Sequence, residues 1–235
     1  IAIHEIGHVL GFFLTMVGHD RDSYINLIWN NLEVERDLPS GSINGLPTII
    51  AKERYYQKTM GSAIISFSDI YMINEHYGCN ARCKNISSAK CANGGYPHPR
   101  NCSVCICPSG YGGALCDRRP TGCGEDLVAT KKERTLVYRL GFGTILRDQF
   151  NFCNYMISAP KGKKIVVEIG SISHGYDIPG CPKGGVEIKA QKDQKRTGYR
   201  FCSPIGTEGP IVSSSNPLPV ILFNRFAEIQ VTLTY

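Results

Sequence analysis

Eleven cysteines constrain this chain more than any other feature of its 235 residues, and ten of them fall between Cys83 and Cys202. Residues 1–79 hold one, at their end; residues 83–116 hold six, and residues 123–235 hold four, widely spaced. Cysteines this dense in small modules belong to an oxidising, extracellular setting. The alternative, structural zinc, requires paired CxxC spacings that the chain does not repeat. A module of about 35 residues cannot bury enough apolar surface to stand alone, so bridges must hold 83–116 together. Gly94, Gly95, Gly110, Gly112 and Gly113 allow the tight turns of a small two-stranded unit there.

The cysteine-poor segment opens on His4-Glu5-Ile6-Gly7-His8-Val9-Leu10-Gly11-Phe12. Residues i and i+4 share a helix face, so His4 and His8 can offer two imidazoles to one Zn²⁺ while Glu5 reaches a metal-bound water. In that role zinc acidifies the water and Glu5 is the catalytic base. Apolar Ile1, Ile3, Ile6, Val9, Leu10, Phe12 and Phe13 surround the motif, as in a buried helix, and Gly11 ends it with a left-handed turn. The chain begins at Ile1, close ahead of the first histidine, which reads as a fragment or a truncated product. Residues 33–45 read as loop, and a second helix is expected over Ser68–Tyr77, capped by Ser66 or Ser68.

Residues 123–235 carry turn signals at regular spacing and predict a β-sandwich. Ile229, Val231, Leu233 and Tyr235 alternate with Glu228, Gln230, Thr232 and Thr234; Lys163–Ile169 and Gly185–Ala190 behave similarly. Part of the net charge of +6 clusters at Lys189, Lys192, Lys195, Arg196 and Arg200. That cluster is expected to be a solvated loop or strand face, with a patch for anionic polysaccharide or lipid as the functional alternative. Nucleic acid is not an expected partner of a disulfide-rich secreted chain. No apolar run reaches the roughly 18 residues of a membrane span. Asn85-Ile86-Ser87 and Asn101-Cys102-Ser103 are acceptor tripeptides for N-glycosylation.

Taken together these residues resemble the astacin family of zinc metalloendopeptidases. His4 through Phe12 followed by Asp20-Arg21-Asp22 is similar, without a gap, to the signature HExxHxxGFxHExxRxDRD. Ser66-Phe67-Ser68-Asp69-Ile70 through Tyr77 and Cys79 resembles the end of the catalytic domain. Residues 80–119 resemble an EGF-like module and 120–235 a CUB domain, an order similar to that of the nematode branch. The resemblance implies an α+β catalytic-domain remnant, mainly the helical half of a zincin, over 1–79, then a small disulfide-rich module, then an all-β sandwich. It implies the bridges Cys83–Cys102, Cys91–Cys105, Cys107–Cys116, Cys123–Cys153 and Cys181–Cys202, leaving Cys79 for a partner in the amino-terminal part of the catalytic domain.

Its functional implications are a secreted enzyme with one Zn²⁺ on His4 and His8, Glu5 as general base, and extracellular protein or matrix and cuticle protein as substrate. The CUB domain adds possible glycan contact. Calcium is not expected, because Asn80-Ala81-Arg82 precedes Cys83 and Gly184-Gly185 stands where a calcium-binding CUB domain carries an acid. The chain departs from the signature at Leu14, Thr15 and Gly18, the first of which replaces the third zinc histidine. His19 lies off that position, and no Met-turn occupies Glu33–Asn44. Two readings follow: a zinc endopeptidase by family, with hydrolysis by this chain in question, and a non-catalytic binding protein that acts through its EGF-like and CUB modules.

Overall fold

The computed structural model describes residues 2–12, 20–32, 42–84, 87–204 and 209–235, with the side chains of residues 2–4 excepted. The fold is mostly β, with few helices and many disulfides. It divides into two compact units, residues 1–57 and 58–235.

The first unit has one α-helix, α1 (Ala2–Val9), and an antiparallel pair, β1 (Ile25–Leu27) with β2 (Ile49–Ala51), in which Ile25 opposes Ala51. Side-chain amides tie its loops. Asn31 donates to the Pro47 carbonyl (2.8 Å) and accepts from Asn44 (2.7 Å), while Gln57 donates to Ile49 O (3.0 Å) and accepts from Ala51 N–H (2.8 Å). Those bonds replace what a larger apolar core would supply: among the described residues of this unit Ala51 is the one buried hydrophobic side chain, and Ile6, Val9 and Trp29 are exposed. Among the described residues the unit holds one α-helix, short 3-10 turns at Arg21–Ser23, Trp29–Asn31 and Arg54–Tyr56, and one short ladder.

In the second unit, α2 (Phe67–His76) starts at Ser66, whose hydroxyl accepts from Asp69 N–H (3.1 Å) while the Asp69 carboxylate accepts from Ser66 N–H (2.8 Å). This reciprocal pair satisfies two of the helix's orphan donors. The helix rests on β3 (Tyr96–His98): the Tyr71 and Phe67 rings lie 5.1 and 5.5 Å from Tyr96, and Asn74 donates to the Tyr96 hydroxyl (3.1 Å). β3 pairs antiparallel with β4 (Asn101–Ile106). Bonds Cys83–Cys102, Cys91–Cys105 and Cys107–Cys116 hold this small ladder.

Two sheets follow, face to face. The first runs in the order β10 (Tyr199–Phe201), β9 (Gly184–Ile188), β12 (Leu218–Asn224), β7 (Asn151–Ser158) and β5 (Asp126–Val128), with β5 parallel to β7. The second is β11 (Ile211–Val212), β8 (Val166–Ser173), β13 (Glu228–Thr234) and β6 (Thr135–Gly141). Ile229, Val231 and Leu233 of β13 face Val186, Ile188, Val220 and Leu222 as the buried layer. Bonds Cys123–Cys153 and Cys181–Cys202 clamp the first sheet.

Every residue of β12 is buried, so that sheet is covered on its second face as well. The cover is the disulfide module and the segment ahead of α2. Gly110 approaches so closely that a Cβ there would lie 2.7 Å from Pro219. Tyr111 and Cys116 cluster with Met156, and Ile64 packs on Cys181, Cys202 and Phe223. The expected solvated face at 189–200 needs correction. Lys189 and Arg200 are buried beneath this cover, and Lys192, Lys195 and Arg196 are exposed.

Candidate metal centre

α1 places Glu5 in its first turn and His8 in its last. The helix then ends in a pair of bonds that fixes more than the chain direction. Phe12 N–H donates to Gly7 O (3.0 Å) and Gly11 N–H to His8 O (2.9 Å), with Gly11 at φ +91°. This is the Schellman turn, which needs a residue tolerant of the left-handed region. It swings the Phe12 carbonyl back over the last helical turn, 2.7 Å from His8 Nδ1. A carbonyl oxygen can only accept, so Nδ1 is the donor in this bond. Backbone orientation of a histidine through one nitrogen is the usual support for metal binding through the other.

The backbone of His4 lies one turn earlier on the same helix, and its side chain is outside the described part. Leu14, Thr15, Gly18 and His19 also lie outside the described residues. Among the described residues no group of three or more His, Cys, Asp or Glu is placed to hold a metal ion. At the position that the sequence aligns with a third ligand, Leu14 offers no lone pair, so His4 and His8 are the two imidazoles this motif can supply. Catalytic zinc takes three protein ligands and keeps a fourth position for water. The residues present do not fit that complete centre.

The remaining candidate residues are scattered over the second unit. Asn101 is exposed, and its side-chain oxygen accepts from Ser103 N–H (3.2 Å) and Oγ (2.6 Å). Asn85 falls outside the described residues. Cys79 is a free, half-buried thiol. Glu168 and Asp177 are exposed, and Asp177 pairs with Lys58 at 2.7 Å.

A polar cluster that the sequence reading missed sits beneath the disulfide module. Glu187 accepts from Arg200 Nε (2.9 Å), Ser109 Oγ (3.0 Å) and Gly198 N–H (2.9 Å), and Arg200 also donates to Ser62. Burial pushes the Glu187 carboxyl up, but Arg200 and Lys189 outweigh it and hold the group below its ordinary range. Glu187, Arg200 and Ser109 line a cavity of about 300 Å³ together with Tyr111, Phe152 and Thr197. The carboxylate and guanidinium satisfy each other, so the arrangement joins segments and exposes no reactive group. No local signal marked it, because the alternation of Glu187 and Lys189 with apolar Val186 and Ile188 is equally the pattern of a strand with one solvent-facing side.

Comparison with known proteins decides the family. The family model for astacin, a family of peptidases, matches residues 1–40. The zinc metalloproteinase nas-31 of Caenorhabditis elegans is 42% identical over 262 residues, an alignment that takes in 100% of this chain and 43% of that protein. Zinc metalloproteinase nas-25 of the same organism is 36% identical, over 100% of this chain and 66% of that protein.

The chain belongs to the astacin family.

As an astacin it spans less than half the length of nas-31. Its alignment to that relative runs over 262 positions against its own 235 residues, a difference of 27. Because the whole chain is inside the alignment, nas-31 carries at least that many residues, internal to the match, that this astacin does not have. Among solved structures, the CUB1-EGF-CUB2 domains of rat MASP-1 align over 60% of this chain and 46% of that one, at 18% identity and a TM-score of 0.29, too low to establish a shared fold. No helix among the described residues is long and apolar enough to cross a membrane.

Proposed function

We propose that this astacin descends from a secreted, zinc-dependent endopeptidase that hydrolyses peptide bonds of extracellular proteins, and that as it stands it binds such proteins without cleaving them. One observation carries the reading: Leu14 occupies the position of the third zinc ligand, leaving two imidazoles where hydrolysis needs three. Binding then falls to the EGF-like module, residues 80–119, and the CUB domain, residues 120–235. Support for that division comes from the three bridges of the small ladder, the two-sheet sandwich and the exposed Asn101 tripeptide of a glycoprotein. Secretion rests on five disulfides in one chain.

A second reading, an active zinc endopeptidase, is favoured by the intact His4-Glu5-x-x-His8 and by the Phe12 carbonyl that orients His8. Metal analysis and a casein cleavage assay on the full chain, beside Glu5→Ala, separate the two. Binding without cleavage predicts zinc well below one per chain and the same rate for both proteins. Cleavage that Glu5→Ala abolishes overturns it in favour of the enzyme.

A further inference from the structure

We propose that one loop end of the sandwich docks on a bilayer surface containing anionic phospholipid. The loop between β6 and β7 turns through Gly143 (φ +67°) and presents Phe142, Ile145 and Leu146 at 68%, 79% and 52% exposure. Three large apolar side chains on one turn are a cost in water that burial elsewhere does not require.

Directly behind this tip stand three cations on three loops. Arg147 N–H donates to Arg225 O (2.8 Å), and Arg225 N–H donates to Lys183 O (2.9 Å), so the three residues lie side by side. Arg147 braces the tip. Its guanidinium lies 4.8 Å from the Phe142 ring centre and donates to Phe142 O (2.7 Å) and to the side chain of buried Asn224 (2.6 Å). Arg225 donates to Pro182 O (2.6 Å) and lies over Phe150. Lys183 Nζ is 3.7 Å from the Tyr176 ring centre and 4.6 Å from that of Phe226. Among the described residues none of the three makes an ion pair. Of the carboxylates in these loops, Asp177 is taken by Lys58, which leaves Asp148 against three positive groups.

An apolar tip backed by half-buried cations matches a lipid interface, where acyl chains receive the tip and headgroup phosphates meet the cations. A protein partner of ordinary size contacts some 20–30 residues a side and needs matched relief; a single projecting turn offers neither. A bilayer requires no shape match. Charge complementarity and the small protruding contact therefore select the anionic lipid surface.

Cosedimentation of the full chain tests this, using vesicles of phosphatidylcholine alone and vesicles with about a fifth phosphatidylserine. Binding is expected only with phosphatidylserine, weakening as salt is raised. Phe142→Ser/Ile145→Ser/Leu146→Ser is expected to lower partitioning at least ~10-fold with at most a small fall in melting temperature, since beyond the Phe142 ring contact with Arg147 these exposed side chains contribute only in the bilayer. Lys183→Glu is expected to reduce it several-fold. Should the triple variant unfold, Ile145→Trp serves instead, its added emission shifting to the blue with phosphatidylserine vesicles. No sedimentation with phosphatidylserine, equal binding of the triple variant, or an Ile145→Trp emission unmoved by vesicles overturns the proposal. So does a dimer that the triple variant dissociates in the absence of lipid, which would make a second copy the occupant.

Discussion

Arg200 Nε donates to Glu187 Oε2 at 2.9 Å while the two side chains are only 4% and 3% exposed. Around that pair meet three parts of the second unit: Ser62 from the segment before α2, Ser109 from the disulfide module, and β9 with β10 of the sandwich. Thr59 adds to the joint by accepting from Arg200 N–H (3.0 Å). A buried ion pair is no stronger than a well-packed apolar substitute, but half of one is strongly destabilising. Glu187→Ala is therefore expected to cost ~3–5 kcal/mol in urea unfolding, and Glu187→Leu with Arg200→Met to recover most of that loss. A double variant as unstable as the single one would show that the pair's own charges, rather than the orphaned partner, matter. The folded-state value of Glu187 lies below its unfolded one, so its contribution is complete above about pH 4.5 and is lost as pH falls through the folded value.

Lys189 gives a pH dependence of the same sign in a more alkaline window. Its ammonium donates to Arg196 O (2.8 Å) and Ser109 Oγ (3.3 Å), and burial lowers it from 10.5 to about 8 against the pull of Glu187. Between those values the unfolded chain holds a proton that the folded chain has released. Stability then rises with pH across that window. The unfolding free energy of the wild type, relative to Lys189→Met, is expected to climb by about 2 kcal/mol between pH 7.5 and 10. Taking the difference removes tyrosines common to both proteins, among them Tyr111, which burial pushes up to about 12. A flat difference would mean that Lys189 stays charged in the fold.

The start of α2 rests on two short side chains. Removing the Ser66 hydroxyl orphans the Asp69 N–H and loosens a helix that packs on Tyr96 through Phe67, Tyr71 and Asn74. Ser66→Ala is expected to cost ~1 kcal/mol, and Ser66→Asp, which keeps an acceptor at the cap, much less. Equal losses from the two substitutions would place the effect in packing rather than in the cap.

What could be read from the sequence had a local cause. The end of α1 at Gly11, the cap at Ser66 and the alternation along β13 each follow from residues a few positions apart. That the cysteines would bond to one another followed from their number and spacing, whereas partner choice came from the family resemblance. The buried charges were not legible, because Glu187 and Lys189 are indistinguishable from solvent-facing residues until Ser109, some eighty positions away, is folded over them. Strand limits also shifted: the run expected over Lys163–Ile169 is β8, Val166–Ser173, since pairing with β13 sets where the ladder starts. At the metal centre, the spacing of His4 and His8 was plain, while the Phe12 carbonyl that orients His8 follows only from the geometry of the turn.

That turn supplies the last prediction, about zinc. Two imidazoles on one helix hold a divalent zinc ion weakly, since the remaining positions fall to water. Leu14→His restores the ligand type the astacin signature places there, and zinc affinity measured by chelator competition is expected to rise at least ~10-fold, in line with the weight of single ligand contacts at such sites. The rise should depend on His8 remaining oriented. Gly11→Ala forces an alanine into the left-handed region at φ +91°, where it meets no neighbour but carries backbone strain of about 1–2 kcal/mol. Combined with Leu14→His it should weaken the Phe12 bond to His8 and return part of the gained affinity. An affinity that Leu14→His leaves unchanged would mean that residue 14 does not reach the face shared by His4 and His8, and that loss of the third histidine is not what limits metal binding.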